Sequence, residues 1–292
     1  MRLLPLPVIT ATALLGTAFS LPSHPAPTLD VAPATNSTLQ SRIQSRALHR
    51  NSNPLARLSG GHPGTESGFR TANTAAITYS NNWAGAVHEK PQAGKGPYTA
   101  VSATFTIPHP TAAPRTTGGM QAGSAWVGID GDTYSGAILQ TGVDFYIENG
   151  AISNDAWFEW FPDYAYDFSI GINTGDVIVA RVESFSPSEG VAVVENRSTG
   201  EKATQTVRAP KSEATLKGEN AEWIVEDFQS GDSIVALADF GGVRFTGCEA
   251  KTEGGGVVGL DGTTIIELKQ GERGLTEVVV EGKETLTVKC LL

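Results

Sequence analysis

The stretch TAVSATFTIP, residues 99–108, alternates apolar and polar side chains along its length. Val101, Ala103, Phe105 and Ile107 share one parity, and the hydroxyl side chains between them share the other. Successive side chains of a β-strand point to opposite faces of the sheet. The stretch therefore predicts a strand with one buried and one solvated face.

The same alternation recurs towards the C-terminus, with turn signals between the runs. These runs are DVIVARVESF, EGVAVVENRS, NAEWIVEDF, GGVRFTG, TTIIELK and TEVVVEG. Pairs such as Asn149-Gly150 and Asp261-Gly262 are typical of tight turns between strands. We find no helical periodicity of useful length. The sequence predicts an all-β fold, an antiparallel β-sandwich of two packed sheets.

Composition divides the chain into three parts. Residues 1–20 combine an early Arg with an apolar run and small residues at its end, which predicts a secretory signal peptide and an extracellular protein. Residues 21–76 are rich in Pro, Ser, Thr and Ala and lack periodicity, which predicts a basic, largely disordered pro-segment. The folded domain is predicted to span residues 77–292.

Charge is divided at the same place. Residues 1–76 hold six Lys/Arg against two Asp/Glu, which leaves 15 basic and 29 acidic residues, a net charge near −14, on the predicted domain. Such an acidic surface argues against nucleic acid or an anionic membrane as partner. It also suits acidic surroundings, where protonation of carboxylates relieves their mutual repulsion. We expect a monomer that acts on polypeptides.

Cys248 and Cys290 are the two cysteines of the chain. In a secreted protein they predict one disulfide, which would tie the last strand to one about forty residues earlier. Asn196, in the sequence Asn-Arg-Ser, is a candidate glycosylation site.

Several common hydrolase signatures are missing from the sequence. It contains no Gly-x-Ser-x-Gly, no Asp-Thr-Gly or Asp-Ser-Gly, and no His-Glu-x-x-His. The predicted domain has only two histidines, His88 and His109, in loop-like surroundings. We therefore expect no metal and no cofactor, and a hydrolase built this way would depend on carboxylates and amides.

Strand parity places aromatic, acidic and amide side chains together. The residues that share a side within their strands are Trp126, Gly128 and Asp130; Gln140, Gly142 and Asp144; Trp157, Glu159 and Phe161; and Glu222, Ile224, Glu226 and Phe228. Such a mixture is more typical of a cleft than of a core. Taken singly, each residue also has a structural explanation: a cross-strand amide bond for Gln140, a solvated face for Glu226, turn capping for Asp130 and core packing for Trp83.

Six blocks stand in a fixed order along the predicted domain: SNNWAGA, AWVGIDGD, ILQTGVD, AWFEWFP, AEWIVEDF and VRFTGC. Together they resemble the eqolisins, secreted glutamic peptidases that act at acid pH. The resemblance extends from Tyr79 to Cys290 and implies a concanavalin-like sandwich with Gln140 and Glu226 as the catalytic pair. The chain has fewer cysteines than some members, and its pro-segment matches only in being basic.

The implied chemistry explains an amide within an aliphatic strand. Peptide hydrolysis by water needs a base, a donor for the developing oxyanion and an acid for the leaving amine. Glu226, with an ordinary pKa, would serve as base and then as acid, without a covalent intermediate. Gln140 would donate to the oxyanion and orient the water. Trp83, Asp130 and Glu159 would support the cleft.

Two other functions remain open from the residues alone. A retaining or inverting glycosidase could use Glu159 and Glu226 as paired carboxylates about 5 to 9.5 Å apart. A non-catalytic carbohydrate-binding sandwich could line a groove with the same Trp and acidic residues.

The charge division also predicts how a precursor is kept inactive. Arg42, Arg46, Arg50 and Arg57 precede the acidic domain and would hold the pro-segment on its cleft electrostatically. Acidification would protonate the cleft acids and release it.

Overall fold

The structure, a computed structural model, describes residue 50 and residues 52–58, 77–113, 119–230 and 233–292. The predicted signal peptide and most of the predicted pro-segment lie outside these residues. The described residues form twenty strands and no helix, hence no helix that could cross a membrane.

The strands, in chain order, are β1 (Ile77–Ser80), β2 (Trp83–His88), β3 (Tyr98–Thr106), β4 (Met120–Ile129), β5 (Ile138–Glu148), β6 (Ala151–Phe161), β7 (Tyr166–Asp167), β8 (Val177–Ser186), β9 (Glu189–Asn196), β10 (Glu201–Arg208), β11 (Ala221–Glu226), β12 (Gln229–Ser230), β13 (Ser233–Ile234), β14 (Ala236–Leu237), β15 (Gly242–Thr252), β16 (Val257–Val258), β17 (Thr264–Gln270), β18 (Arg273–Gly274), β19 (Thr276–Val280) and β20 (Thr285–Cys290).

Two large sheets form the domain. The first, which we call the cleft sheet, has the order β1-β17-β2-β11-β4-β5-β6-β7, with β14 beside β4 and β18 beside β17. The second has the order β10-β9-β8-β3-β15-β20-β19, with β16 beside β15. Strand pairs are antiparallel except β1 with β17 and β14 with β4. The predicted all-β sandwich is confirmed.

The core lies between the two sheets. In β3, Val101, Ala103 and Phe105 are buried while Ser102 and Thr104 are half-buried, as the alternation in TAVSATFTIP predicts. The inward-facing apolar side chains of the other strands pack with them in one apolar cluster. Burial of each such aliphatic or aromatic side chain stabilises the fold by about 1.5–3 kcal/mol. A shift of the strand pairing by one residue would turn these side chains to the other face, so burial favours the observed register.

The cleft sheet also carries apolar side chains on its outer face, which we call the cleft face. Trp83, Trp126 and Trp157 belong to a second apolar cluster there and are fully buried. Strands β2 and β11 are buried along their whole length. The central strands of this sheet therefore contribute to two packed layers.

A tight turn sets the register of β5 and β6. Asn149 and Gly150 connect them with φ angles of 50° and 81°, the positive pair that a two-residue type I′ hairpin requires. This predicted turn is confirmed, and Glu148 pairs with Ala151 across it. Counting back along the ladder, the same register places Gln140 opposite Glu159.

The predicted disulfide is wrong, because Cys248 and Cys290 are free thiols. The two lie on neighbouring strands, β15 and β20, but at opposite ends. The Cys248 N–H bonds to Glu284 O, whereas the Cys290 N–H bonds to Gly241 O. Seven residues of strand separate positions 241 and 248, about 20 Å. A disulfide needs Cα atoms within about 7 Å.

The folded structure does not support Asn196 as a glycan acceptor. Its side chain is fully buried. The amide nitrogen that would carry the sugar donates to Gly171 O at 3.0 Å and to Asp176 Oδ2 at 2.8 Å. A sugar on this nitrogen would replace one of the two donated N–H groups, and the buried site would have to open to admit it.

Part of the predicted pro-segment is packed rather than disordered. Residues 50 and 52–58, which we call the covering segment, lie on the cleft face and continue towards β1. Arg50 and Ser52 are buried there. The lack of periodicity hid this, since the segment packs on the domain and has no core of its own.

Candidate active site

Strand register brings the predicted pair to the cleft face on either side of β4. Gly128 on β4 pairs with Gln140 on β5. Four residues away along β4, Ser124 pairs with Glu226 on β11. Paired residues share a face, and Gly128 and Ser124 have the same parity. Gln140 and Glu226 therefore face the same cleft.

A row of aromatic side chains and one glycine forms the floor between the pair. Trp126 pairs with Gly142, which pairs with Trp157 on β6. A Cβ at Gly142 would overlap Ala125 O and would lie 2.5 Å from Trp126 Cβ. A residue without a side chain is thus required where Trp126 crosses β5.

Glu226 is a fully buried carboxyl with two donors. Trp126 Nε1–H donates to Oε2 at 3.1 Å, and Ser52 Oγ donates to the same oxygen at 2.6 Å. Burial raises the pKa of Glu226 to about 7, although Arg50 and the hydrogen bond from Ser52 oppose the rise. The expectation of an ordinary pKa therefore does not hold while the covering segment is in place.

The guanidinium of Arg50 contacts three carboxyl groups of the cleft. It donates to Asp144 through Nε at 2.8 Å and Nη2 at 3.2 Å, and to Glu159 Oε2 through Nη1 at 3.3 Å. Its Nη2 lies 3.9 Å from Glu226 Oε2. One guanidinium therefore spans the acids from β5, β6 and β11.

Two aromatic rings also contact the guanidinium of Arg50. Its guanidinium carbon lies 3.9 Å from the Trp157 ring centroid and 4.8 Å from that of Phe228. Such stacking is favourable for a desolvated cation. Arg50 is only 2% exposed, so this contact is part of the packed interior and differs from an exposed surface ion pair.

Gln140 has no hydrogen-bond partner for either side-chain atom among the described residues, although it is fully buried. Its neighbour Glu159 has one unpartnered oxygen, Oε1. Burial raises the pKa of Glu159 well above its usual range, against the opposing effect of Arg50. Buried polar atoms without partners are rare, and in a cleft they indicate a position for a ligand or water.

Two further buried acids lie near the pair. Both oxygens of Glu222 lack a partner among the described residues, and burial raises its pKa well above the usual range. Asp227 accepts a hydrogen bond from Gln270 at 2.9 Å, and burial together with Glu226 raises its pKa to about 8. Burial therefore favours the uncharged forms of these two carboxyl groups.

The predicted supporting residues separate into two groups. Trp83 and Glu159 lie on the cleft face, and the Trp83 ring meets that of Trp126 edge to face at 4.9 Å. Asp130 instead anchors a loop: its carboxylate accepts hydrogen bonds from the backbone N–H groups of residues 217–220, at 2.7 to 3.3 Å. Burial raises the pKa of Asp130 while these donors oppose the rise.

Strand parity placed Trp126 and Asp144 on the cleft side but assigned them no role. In the structure Trp126 donates to Glu226, and Asp144 accepts from Arg50. Ser52 has no such signal, since its contact depends on how the covering segment lies.

A cleft of carboxyl and amide side chains with a polypeptide segment lying in it is typical of a hydrolase that binds peptides. The comparisons identify its family. The Peptidase A4 family model matches residues 81–290, and the chain belongs to this family of glutamic peptidases.

Named relatives agree with this assignment. Aspergillopepsin-2 of Aspergillus niger is 48% identical over 243 residues, covering 77% of this chain and 83% of its own. Scytalidopepsin B of Scytalidium lignicola is 37% identical over 230 residues, which cover 76% of this chain and 82% of the relative.

Solved structures show the same fold. Scytalido-glutamic peptidase with a transition-state analogue inhibitor superposes with a TM-score of 0.64 at 36% identity, covering 72% of this chain and 98% of that one. The aspergilloglutamic peptidase of Aspergillus niger superposes with a TM-score of 0.56 at 53% identity, and the match covers 59% of this chain and 99% of that one. The chain is therefore a peptidase, and the glycosidase and carbohydrate-binding alternatives are not supported.

Proposed function

We propose that this chain is the secreted precursor of an acid-acting endopeptidase whose catalytic pair is Gln140 and Glu226. The observation that carries the proposal is the hydrogen bond that Ser52 donates to Glu226. Ser52 belongs to the covering segment, a stretch of polypeptide that lies in the cleft. The family membership supports the same reaction class. The acidic domain and the N-terminal signal-like stretch support secretion into an acidic medium.

In the proposed reaction, the ionised Glu226 takes a proton from a water molecule, and the water oxygen attacks the peptide carbonyl carbon. The Gln140 amide N–H donates to the developing oxyanion, and its Oε1 accepts a hydrogen bond from the water. Glu226 then gives its proton to the amine nitrogen as the C–N bond breaks. The products are a carboxylic acid and an amine, and no covalent intermediate forms.

The covering segment keeps this pair inactive. With the segment in place, Glu226 has a pKa of about 7 and is therefore protonated in acid, so it cannot act as a base. Departure of residues 50 and 52–58 admits water to Glu226, which removes the largest cause of the raised pKa. Acid weakens the contacts of Arg50, because protonated carboxyl groups no longer attract a guanidinium.

Substitution of the pair tests the proposal. The purified chain, activated in acid, should cleave a denatured protein between about pH 2 and the ordinary carboxyl range. Glu226→Gln and Gln140→Ala should each lower kcat by at least about a hundredfold, the usual result of losing a catalytic acid–base group or an oxyanion donor. Substantial turnover by either folded variant would contradict the assignment, and fragment sequencing confirms that peptide bonds are cut.

A further inference from the structure

The covering segment extends beyond the cleft and forms a single antiparallel β-bridge at a sheet edge. Leu58 N–H donates to Tyr79 O at 2.9 Å, and Asn81 N–H donates to Ala56 O at 3.3 Å. Between these bonds Arg57 lies antiparallel to Ser80. Strand β1 ends the cleft sheet and pairs with β17 on its other side, so its free edge is available for strand addition.

Asn82 binds the main chain of the same segment. Its Nδ2 donates to Asn53 O at 3.3 Å and to Pro54 O at 3.2 Å, and its Oδ1 accepts from Ala56 N at 3.0 Å. Asn82 is 6% exposed, and Ser80 Oγ donates to the same Oδ1 at 2.8 Å. All three contacts to the segment use peptide groups, which every polypeptide possesses.

Two features join this edge to Glu226. Leu55 N–H donates to Gly131 O at 2.9 Å, and the Leu55 side chain packs on the apolar cluster that includes Trp83. A cavity of about 310 Å³ has both Asn82 and Glu226 in its lining. A chain can therefore pass from Glu226 to β1 without leaving the protein surface.

We propose that Asn82, Gly131 and the free edge of β1 are the main-chain binding site for the part of a substrate that follows the residue held at Glu226. This inference rests on the proposed peptidase function. The covering segment supplies the direction: it passes Glu226 at Ser52 and reaches β1 several residues later, antiparallel to it. After the segment leaves, the same donors and acceptors are free for a substrate.

Such a site has two consequences for substrate choice. Peptide groups provide the contacts, so affinity depends on the length of the substrate more than on its side chains. The substrate must also present an extended strand, which a folded protein offers only when it unfolds. Acid-unfolded proteins are therefore the substrate class that the site suits.

Peptide length provides the first test. A reference peptide is extended residue by residue after its cleaved bond, and in a parallel series before it, and cleaved by the full-length chain after acid activation. We expect kcat/KM to rise by about tenfold or more when the extension reaches about six residues, the spacing of Ser52 and Leu58, mainly through KM. A flat response to this extension would overturn the proposal.

Backbone esters provide a test that leaves the protein unchanged. The peptide of residues 49–59 is used as a competitive inhibitor, with single amide groups replaced by esters. Loss of the N–H at Leu58 should weaken inhibition about five- to tenfold. The matched ester at Asn53 replaces the Asn53 N–H and changes the Ser52 carbonyl, and neither group bonds to another described residue, so it should have little effect. Equal effects of the two esters would contradict strand addition.

Asn82→Ala separates this site from the catalytic pair. The substitution should lower kcat/KM for the longest peptide at least about fivefold more than for the shortest. Asn154→Ala, which removes a half-buried amide on β6, is the control and should change both peptides equally. If Gln140→Ala and Glu226→Ala are inactive but Asn82→Ala shows no length dependence, the main-chain site is wrong and the pair stands. If those two variants stay active, the pair itself is wrong.

Discussion

Ser52 Oγ lies 2.6 Å from Glu226 Oε2 and donates a hydrogen bond to it. Both residues are buried. In the proposed reaction, a water must lie next to Glu226 to give up its proton, and the Ser52 hydroxyl takes that position. With Arg50 placed among the neighbouring acids as well, the covering segment would exclude the water and occupy the proposed base.

Loss of the Arg50 cation should release the covering segment early. In Arg50→Gln, Asp144 loses its buried ion-pair partner and Glu159 loses a hydrogen-bond donor, and removing one side of a buried ion pair is worth about 3–5 kcal/mol. We expect self-processing near pH 6 to accelerate at least about tenfold, followed by mass spectrometry of the purified precursor.

Arg57→Gln is the matched control for this experiment. Arg57 also pairs with two acids, Glu89 and Asp132, but its own side chain is 37% exposed, so water solvates this cation, and such a pair is worth less than a fully buried one. Its effect on processing should therefore be much smaller. Equal rates in Arg50→Gln and the unmodified precursor would show that this cation does not hold the segment.

The precursor, made inactive by Gln140→Ala so that the covering segment stays in place, should lose stability as pH rises. Burial raises the pKa of Glu226 to about 7 and that of Asp227 to about 8, so the folded state holds these protons more tightly than the unfolded chain. Their stabilising contribution is complete below the ordinary carboxyl range and is lost as pH rises through about 7 to 8. Tm measured from about pH 4 to pH 8 should fall.

Glu222→Gln tests the cause of that fall. Burial raises the pKa of Glu222 well above its usual range, and the amide has no proton to lose. Added to the inactive precursor, the substitution should preserve more of its Tm at about pH 8, with little difference at about pH 4. Parallel curves for the two proteins would show that Glu222 does not contribute to the pH dependence.

Two free thiols should be found in the folded protein. Cys248 and Cys290 lie at opposite ends of the β15–β20 pair, too far apart for a bond. After denaturation without reductant, a thiol reagent should label both, and reductant should not change Tm. A mass lower by two protons, with no labelling, would contradict the register of these strands.

Inhibitors of other peptidase mechanisms should leave activity intact. Neither of the two thiols is in the cleft, and burial raises the pKa of Cys248 to about 12, which suppresses the reactive thiolate. Chelators, serine reagents, thiol reagents and pepstatin should each leave the rate of peptide cleavage unchanged. Complete loss with any one of them would indicate a different mechanism.

Much of this architecture follows from local sequence. Period-two alternation predicts the strands and their buried faces, and Asn149-Gly150 predicts the hairpin that places Gln140 opposite Glu159. The disulfide failed because alternation does not indicate which ends of two strands meet. The contacts of Arg50 and Ser52 connect residues 94 to 174 positions apart. No local pattern encodes them, although net charge predicted that arginines of this segment meet cleft acids.

The position of Asp130 predicts a role in supporting the fold and none in catalysis. Asp130 has a φ of 68° and its carboxylate accepts four backbone N–H groups from residues 217–220, directly before the strand that carries Glu226. Hydrogen bonds to a charged group are worth about 1.5–3 kcal/mol each. Asp130→Ala should therefore lower the free energy of unfolding by at least about 3 kcal/mol.

The matched control is Asp163→Ala, which removes a carboxylate that accepts hydrogen bonds from Tyr164 N and Tyr166 Oη in a surface turn. This substitution should lower the free energy of unfolding by only about 1 kcal/mol.

Because Asp130 anchors a loop and touches neither Gln140 nor Glu226, the folded fraction of Asp130→Ala should keep kcat within about tenfold of the unmodified enzyme. Urea unfolding and active-site-normalised kinetics measure the two quantities separately. A fully folded variant without activity would instead place Asp130 in the catalytic machinery.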